Sequence, residues 1–128
     1  MTETATDART FITRYLGALS GHPKPADLVA SFVSDASLMD HIALVESAFA
    51  EYELVAEQMV AEGALVAMRG TFRGCHSGTF AGNPATGRVV TAPLTIFYRL
   101  ENGKIAEHWL QFDAAALVGQ LQGDVAAA

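Results

Sequence analysis

Asn102-Gly103 stands between two long strand-like segments, Arg88 to Leu100 and Lys104 to Asp113. A two-residue hairpin turn of the favoured hand needs left-handed backbone at both positions. Asn and Gly tolerate that best, so the pair commits its flanks to antiparallel pairing. Two earlier segments, Tyr52 to Val60 and Ala64 to Cys75, meet at a turn containing Glu62-Gly63 and read the same way. A meander of four strands has an apolar face to bury, and the material to cover it lies upstream. Phe11, Ile12, Tyr15, Leu16 and Leu19 recur at helical spacing and stop at Ser20-Gly21-His22-Pro23. Pro25 opens a second helix carried by Ala26 to Val33. Ala36 to Asp40 reads as a short extended piece, His41 to Phe49 as a third helix, and Ala114 to Leu121 as a closing helical turn. Helices first and strands after predict an α+β domain. Three N-terminal helices then cover one face of a curved antiparallel sheet and enclose a pocket. Pro93 lies inside the third strand and asks there for a bulge or an edge position.

Residues 1–128 fit one domain, and 51% hydrophobic against 17% charged residues is a globular balance. A net charge of −6 argues against nucleic acid and against anionic membrane surfaces as partners. No apolar stretch approaches a bilayer span, and the opening MTETATDART lacks the pattern of a signal peptide. Cys75, the one cysteine, has no partner for an internal disulfide, so a cytoplasmic location is expected. Ala126 to Ala128 are expected to fray. His22, His41, His76 and His108 have no metal-ligand spacing, and the glycine-rich run Gly74 to Arg88 lacks the order of a phosphate loop. Neither a metal nor a cofactor is expected.

Several residues could carry chemistry. On the last strand Glu107, Trp109, Gln111 and Asp113 share one side, and His108, Leu110 and Phe112 the other. Trp109 is read as a pocket wall. Asp113 beside it is an acid or base, or, on local grounds first, the N-cap of the helix at Ala114. His108 then faces away as a packing or interface residue. Asp40 is a candidate general base or an N-cap for the helix after it. Tyr15 is an oxyanion donor or a core tyrosine. His76 is a pocket-lining loop residue, and Cys75 beside it points to the opposite face. The outer side of the sheet is expected to be apolar, with Phe72, Leu94, Ile96, Leu110 and Phe112, and to bury itself in a homodimer.

The run GCHSGTFAGNPATGR followed by NGKIAEHWLQFD resembles the SnoaL-like polyketide cyclases. In them a G-x-H-x-G loop, a P-x-T-G-R turn and a G-K-I-x-E-H-W-x-x-x-D strand recur in this order. The resemblance covers the C-terminal half. It implies the NTF2-like cone of curved sheet and three helices, and a cofactor-free acid–base enzyme acting on a small hydrophobic molecule. It also implies intramolecular aldol closure, with Asp113 at the position of the proton-shuttling aspartate. The segments ITRYLGAL and FVSDASLMDH resemble the opening of the ketosteroid isomerases, which places Tyr15 at their oxyanion tyrosine and Asp40 at their base. Where those isomerases carry a protonated aspartate this chain has Thr95, a weaker donor. Trp109, His76, His108, Gln111 and Thr95 are the expected substrate contacts. Isomerase-like or epoxide-hydrolase-like proton transfer, and a non-catalytic ligand-binding or dimerisation module, remain open alternatives.

Overall fold

The computed structural model describes residues 5–122, so the expected fraying at Ala126 to Ala128 lies outside the described residues. Three helices come first: α1 (Ala5–Leu19), α2 (Ala26–Phe32) and α3 (Ala36–Ala48). Four strands follow, β1 (Glu53–Glu62), β2 (Leu65–Cys75), β3 (Val89–Glu101) and β4 (Lys104–Phe112), and then a short α4 (Ala114–Leu121). The strands pair antiparallel in sequence order. At the β3–β4 turn, Asn102 and Gly103 have φ of 53° and 74°, as the hairpin requires.

β3 shows why the sheet has a wet side and a dry side. Val90, Ala92, Leu94, Ile96, Tyr98 and Leu100 are all buried, while Val89, Thr91, Pro93, Thr95 and Phe97 between them are exposed. The buried row meets Tyr15, Leu38, Ile42 and Phe49 from the helices in one core. β4 ends opposite Leu94, so at Pro93 the strand pairs only with β2 and has a free side. A residue without an N–H fits that local edge. At Gly70 a Cβ would sit 2.3 Å from the Val55 carbonyl oxygen, beside the β1 irregularity between Ala56 and Gln58, so a side chain there collides with backbone.

The third helix begins earlier than the sequence reading placed it. Asp35, not Asp40, is its N-cap, accepting hydrogen bonds from the N–H groups of Ser37 (3.0 Å) and Leu38 (3.3 Å). Ala36 to Asp40 is therefore helical and not extended. The chain reaches this cap by a bridge between Val33 and Ile105, and the N–H groups of Ser34 and Asp35 both donate to the Ile105 carbonyl. The start of α3 is thereby fixed to β4.

Lys24, in the loop between α1 and α2, ties that loop to α3 and to the residue just before β1. Its ammonium donates to the His22 and Tyr52 carbonyls and to Glu46, and lies 4.0 Å from the centre of the Tyr52 ring. Its side chain is 2% exposed. Burial disfavours the charged form and lowers its pKa, against the opposing pull of Glu46.

Candidate active site

Helices and sheet do not close completely on each other. A cavity of about 210 Å³ remains, walled by Leu94, Ile96 and Leu110 from the sheet, Leu38 and Ile42 from α3, and Leu117 from α4. Leu44 and Phe112 also belong to its lining yet are 61% and 38% exposed, so they mark its mouth. The polar groups in the lining are His41 and the tyrosines Tyr15, Tyr52 and Tyr98.

The three phenols are displaced toward the neutral form. Burial raises the Tyr15 pKa first, and Tyr98 and Tyr52 add to it. Tyr52 and Tyr98 are likewise raised, burial again leading. At neutral pH all three are hydrogen-bond donors and not bases. Tyr15 and Tyr98 meet edge to face at 5.7 Å. The Tyr98 hydroxyl is fully buried and has no hydrogen-bond partner among the described residues.

His41 is the lining group able to change protonation state near neutral pH. Its pKa is lowered, by burial first and by His108 second. His108 lies at 6.5 Å, ring centre to ring centre, and its Nδ1 is 2.8 Å from Asp35 Oδ2. The carboxylate that caps α3 with one oxygen thus holds His108 with the other. Burial raises the Asp35 pKa, but the hydrogen bonds from His108, Ser37 and the Leu38 N–H outweigh it and leave it lowered. Asp35 is ionised at neutral pH.

The residues expected at the site do not all come together. Tyr15 is in the cavity wall. His108 is on the inner face, next to it, instead of facing away. Trp109, Gln111 and Thr95 are on the outer face: Trp109 is 50% exposed opposite Phe97, and Gln111 pairs with Thr95. Asp113 is exposed, caps α4 by accepting from the Ala116 N–H at 2.9 Å, and borders an open outer groove with Glu57 and Arg69. Asp40 is exposed on α3 and is not part of the cavity lining. His76 is fully buried and is not among the residues that line the cavity. Its Nδ1 accepts from the Thr86 N–H at 3.2 Å and its ring packs on Phe49 at 5.4 Å, so it clips the Gly74–Arg88 loop from behind the cavity wall.

The inverted face has a physical cause. Alternation pairs residues by side but does not say which side is inside. Phe72, Leu94, Ile96, Leu110 and Phe112, expected on the outer side, all line the cavity. The unbroken apolar row on β3 marks the inner face, whereas the other row carries Thr91, Thr95 and Arg99. His41 and Asp35 were the unsuspected members. An Asp three residues ahead of the apolar spacing Leu38, Ile42, Val45 signals the cap, and the helix so extended turns His41 to the same side as Ile42 and Val45. Among the described residues no cluster of His, Cys, Asp and Glu has the geometry to hold a metal ion.

The fold is the NTF2-like cone, a curved sheet with helices on one face and a largely apolar chamber between them. The family model for SnoaL-like polyketide cyclases matches residues 22–121, and the chain belongs to that family. No curated protein sequence matches the chain. Among solved structures, AclR from Streptomyces galilaeus, provisionally described as a hydroxylase, superposes with a TM-score of 0.79 at 21% identity, over 94% of this chain and 83% of that one. A SnoaL-like polyketide cyclase from Agrobacterium tumefaciens gives 0.71 at 24% identity, over 93% and 98%. TsrD from Streptomyces laurentii gives 0.71 at 23%, over 88% and 92%. Likeness at these identities speaks for the fold alone. Among the described residues no helix is long and apolar enough to cross a membrane.

Proposed function

We propose that residues 1–128 form a single-domain, cofactor-independent acid–base enzyme that closes or rearranges a small hydrophobic ketone in this cavity, in keeping with polyketide cyclisation. One observation carries the reading: an apolar chamber whose wall holds one imidazole, His41, and three phenols kept neutral by burial. An apolar cavity of about 150 Å³ accepts a benzene, so this one takes on the order of one or two rings, with the remainder of a longer ligand leaving past Leu44 and Phe112.

The chemistry follows from the groups present. Neutral His41 takes a proton from the carbon next to a ketone, and the electrons move to the oxygen. Tyr15 donates a hydrogen bond to that enolate oxygen. The enolate carbon attacks a second carbonyl of the same molecule, a carbon–carbon bond forms, and the new alkoxide takes the proton back from His41. Proton transfer of this kind contributes about 10²–10⁴-fold.

A second reading keeps the aspartate that the family resemblance singles out. Asp113 stands in sequence between two lining residues, Phe112 and Leu117, and this reading requires the α4 start to shift so that its carboxylate reaches the mouth. Solvent-deuterium exchange at the α-carbon of 1-tetralone, followed by proton NMR, tests both. His41→Gln is expected to lower exchange at least 100-fold. An undiminished His41→Gln combined with a dead Asp113→Asn transfers the role to Asp113. Failure of the wild-type protein to accelerate exchange removes the enzyme reading and leaves a binding module.

Homodimerisation through the outer face belongs to the same proposal, with a changed set of contacts. Phe97 and Trp109 stand opposite each other there, 40% and 50% exposed, and Val55, Val60 and Val89 are also exposed. Light scattering at micromolar concentration is expected to give a dimer that Trp109→Lys dissociates; a wild-type monomer contradicts it. A cytoplasmic setting suits a protein whose one thiol, Cys75, is free.

A further inference from the structure

We infer that Asp35 and His108 act together as a positioning pair for His41, holding a second imidazole in a fixed place beside the one in the cavity wall. The inference rests on the reading of His41 as the proton-transferring group, and it starts from how the three side chains are held. Asp35 and His41 are on one helix, Asp35 as its cap and His41 facing the cavity. One carboxylate satisfies the Ser37 and Leu38 N–H groups with Oδ1 and receives the His108 ring with Oδ2. The side chains of His108 and Asp35 are only 14% and 13% exposed, so the contact is shielded from water. The cap fixes helix to strand, and His108 is fixed in turn beside His41 at 6.5 Å. Because its Nδ1 is held at 2.8 Å by the Asp35 carboxylate, the His108 ring is fixed in one orientation.

The arrangement makes His108 a sensor of charge on His41. A proton arriving on His41 must be accommodated in an apolar wall and beside a second imidazole. The other titratable groups around His41 do not offset this. Tyr15, Tyr52 and Tyr98 face the same cavity from α1, the start of β1 and β3, and are neutral. On its own helix Asp40 is exposed, and Glu46 is engaged by Lys24. On α2 Asp27 is exposed, and α4 contributes the apolar Leu117 to the lining. His108 lies beside His41 at 6.5 Å between ring centres, and Asp35 holds it there in a contact shielded from water. A pair that is merely structural strengthens the α3–β4 join and leaves His41 alone, and that difference is measurable.

The test is a titration of His41 by ¹H–¹⁵N correlation of the imidazole nitrogens, in wild-type protein and in His108→Gln and Asp35→Asn. Asn caps helices as well as Asp, so Asp35→Asn withdraws the charge and spares the cap. His108→Gln is expected to raise the His41 midpoint by ~0.5–1 pH unit, from removal of a neighbouring charge 6–7 Å away at high effective dielectric. Asp35→Asn is expected to move it in the same direction, and the double variant no further than the larger single shift. Where exchange activity is measurable, its acid limb moves by the same amount. Unmoved midpoints in folded variants overturn the inference; should His108→Gln not fold, Asp35→Asn decides alone. Activity surviving in His41→Gln refutes the role of His41 itself and leaves this titration unchanged, so the two failures are separable.

Discussion

Tyr98→Phe is expected to make the protein more stable. The residue is fully buried, with its hydroxyl unpartnered among the described residues. An unpaired buried hydroxyl costs about 1–3 kcal/mol. Its removal leaves the ring and its edge-to-face contact with Tyr15 in place, so almost no packing is lost. Part of the gain is offset by the small void where the oxygen stood, which leaves about 1 kcal/mol net. For a chain of 128 residues the unfolding entropy translates that into a rise of about 4 °C in Tm. Differential scanning calorimetry of the two proteins in one buffer measures it. Tyr98→Leu is the control, because it deletes the ring and is expected to cost about 3 kcal/mol or more. A fall of several degrees in Tyr98→Phe refutes the reasoning, since it requires that the hydroxyl be satisfied in the folded protein.

Other substitutions probe the frame that shapes the cavity. Lys24→Met strands the half-buried Glu46 and two backbone carbonyls, and is expected to cost about 3–5 kcal/mol in a denaturant titration, with a loss under 1 kcal/mol contradicting it. Gly70→Ala drives a Cβ into the Val55 carbonyl and is expected to cost at least ~2 kcal/mol by the same measurement. Asp35 has a lowered pKa in the folded state, so its stabilisation is complete above the unfolded carboxyl pKa and is lost as pH falls through the folded one. Thermal melts between pH 6 and 2 are therefore expected to show a shallower acid decline in Asp35→Asn; identical slopes contradict the assignment.

The strand order and the β-hairpin at Asn102-Gly103 were legible because turn chemistry and alternation act locally. Pro93 was legible as a bulge or edge residue for the same reason, and the edge is what the fold shows. The orientation of the sheet is a tertiary property. Trp109, the largest side chain on β4, drew the eye to its own face, but the helices cover the face of Leu110 and Phe112. The start of α3 was missed because Leu38 and Met39 were counted with an extended piece, which hid the cap at Asp35 and moved His41 to the helix edge. The local reading of Asp113 as a cap describes its geometry, while its catalytic role rests on family resemblance alone. The Asp35–His108 contact joins residues 73 positions apart and needed the fold to be seen.

The central claim is that ligands enter the inner cavity and not the outer groove. Chemical-shift mapping with 2-naphthol, a two-ring enol mimic, tests it most directly. The methyl resonances of Ile42, Leu94, Ile96 and Leu110 are expected to move on titration while the Trp109 indole N–H and the Thr95 amide stay still. Movement of Trp109, Thr95 and Gln111 with silent cavity methyls would contradict it.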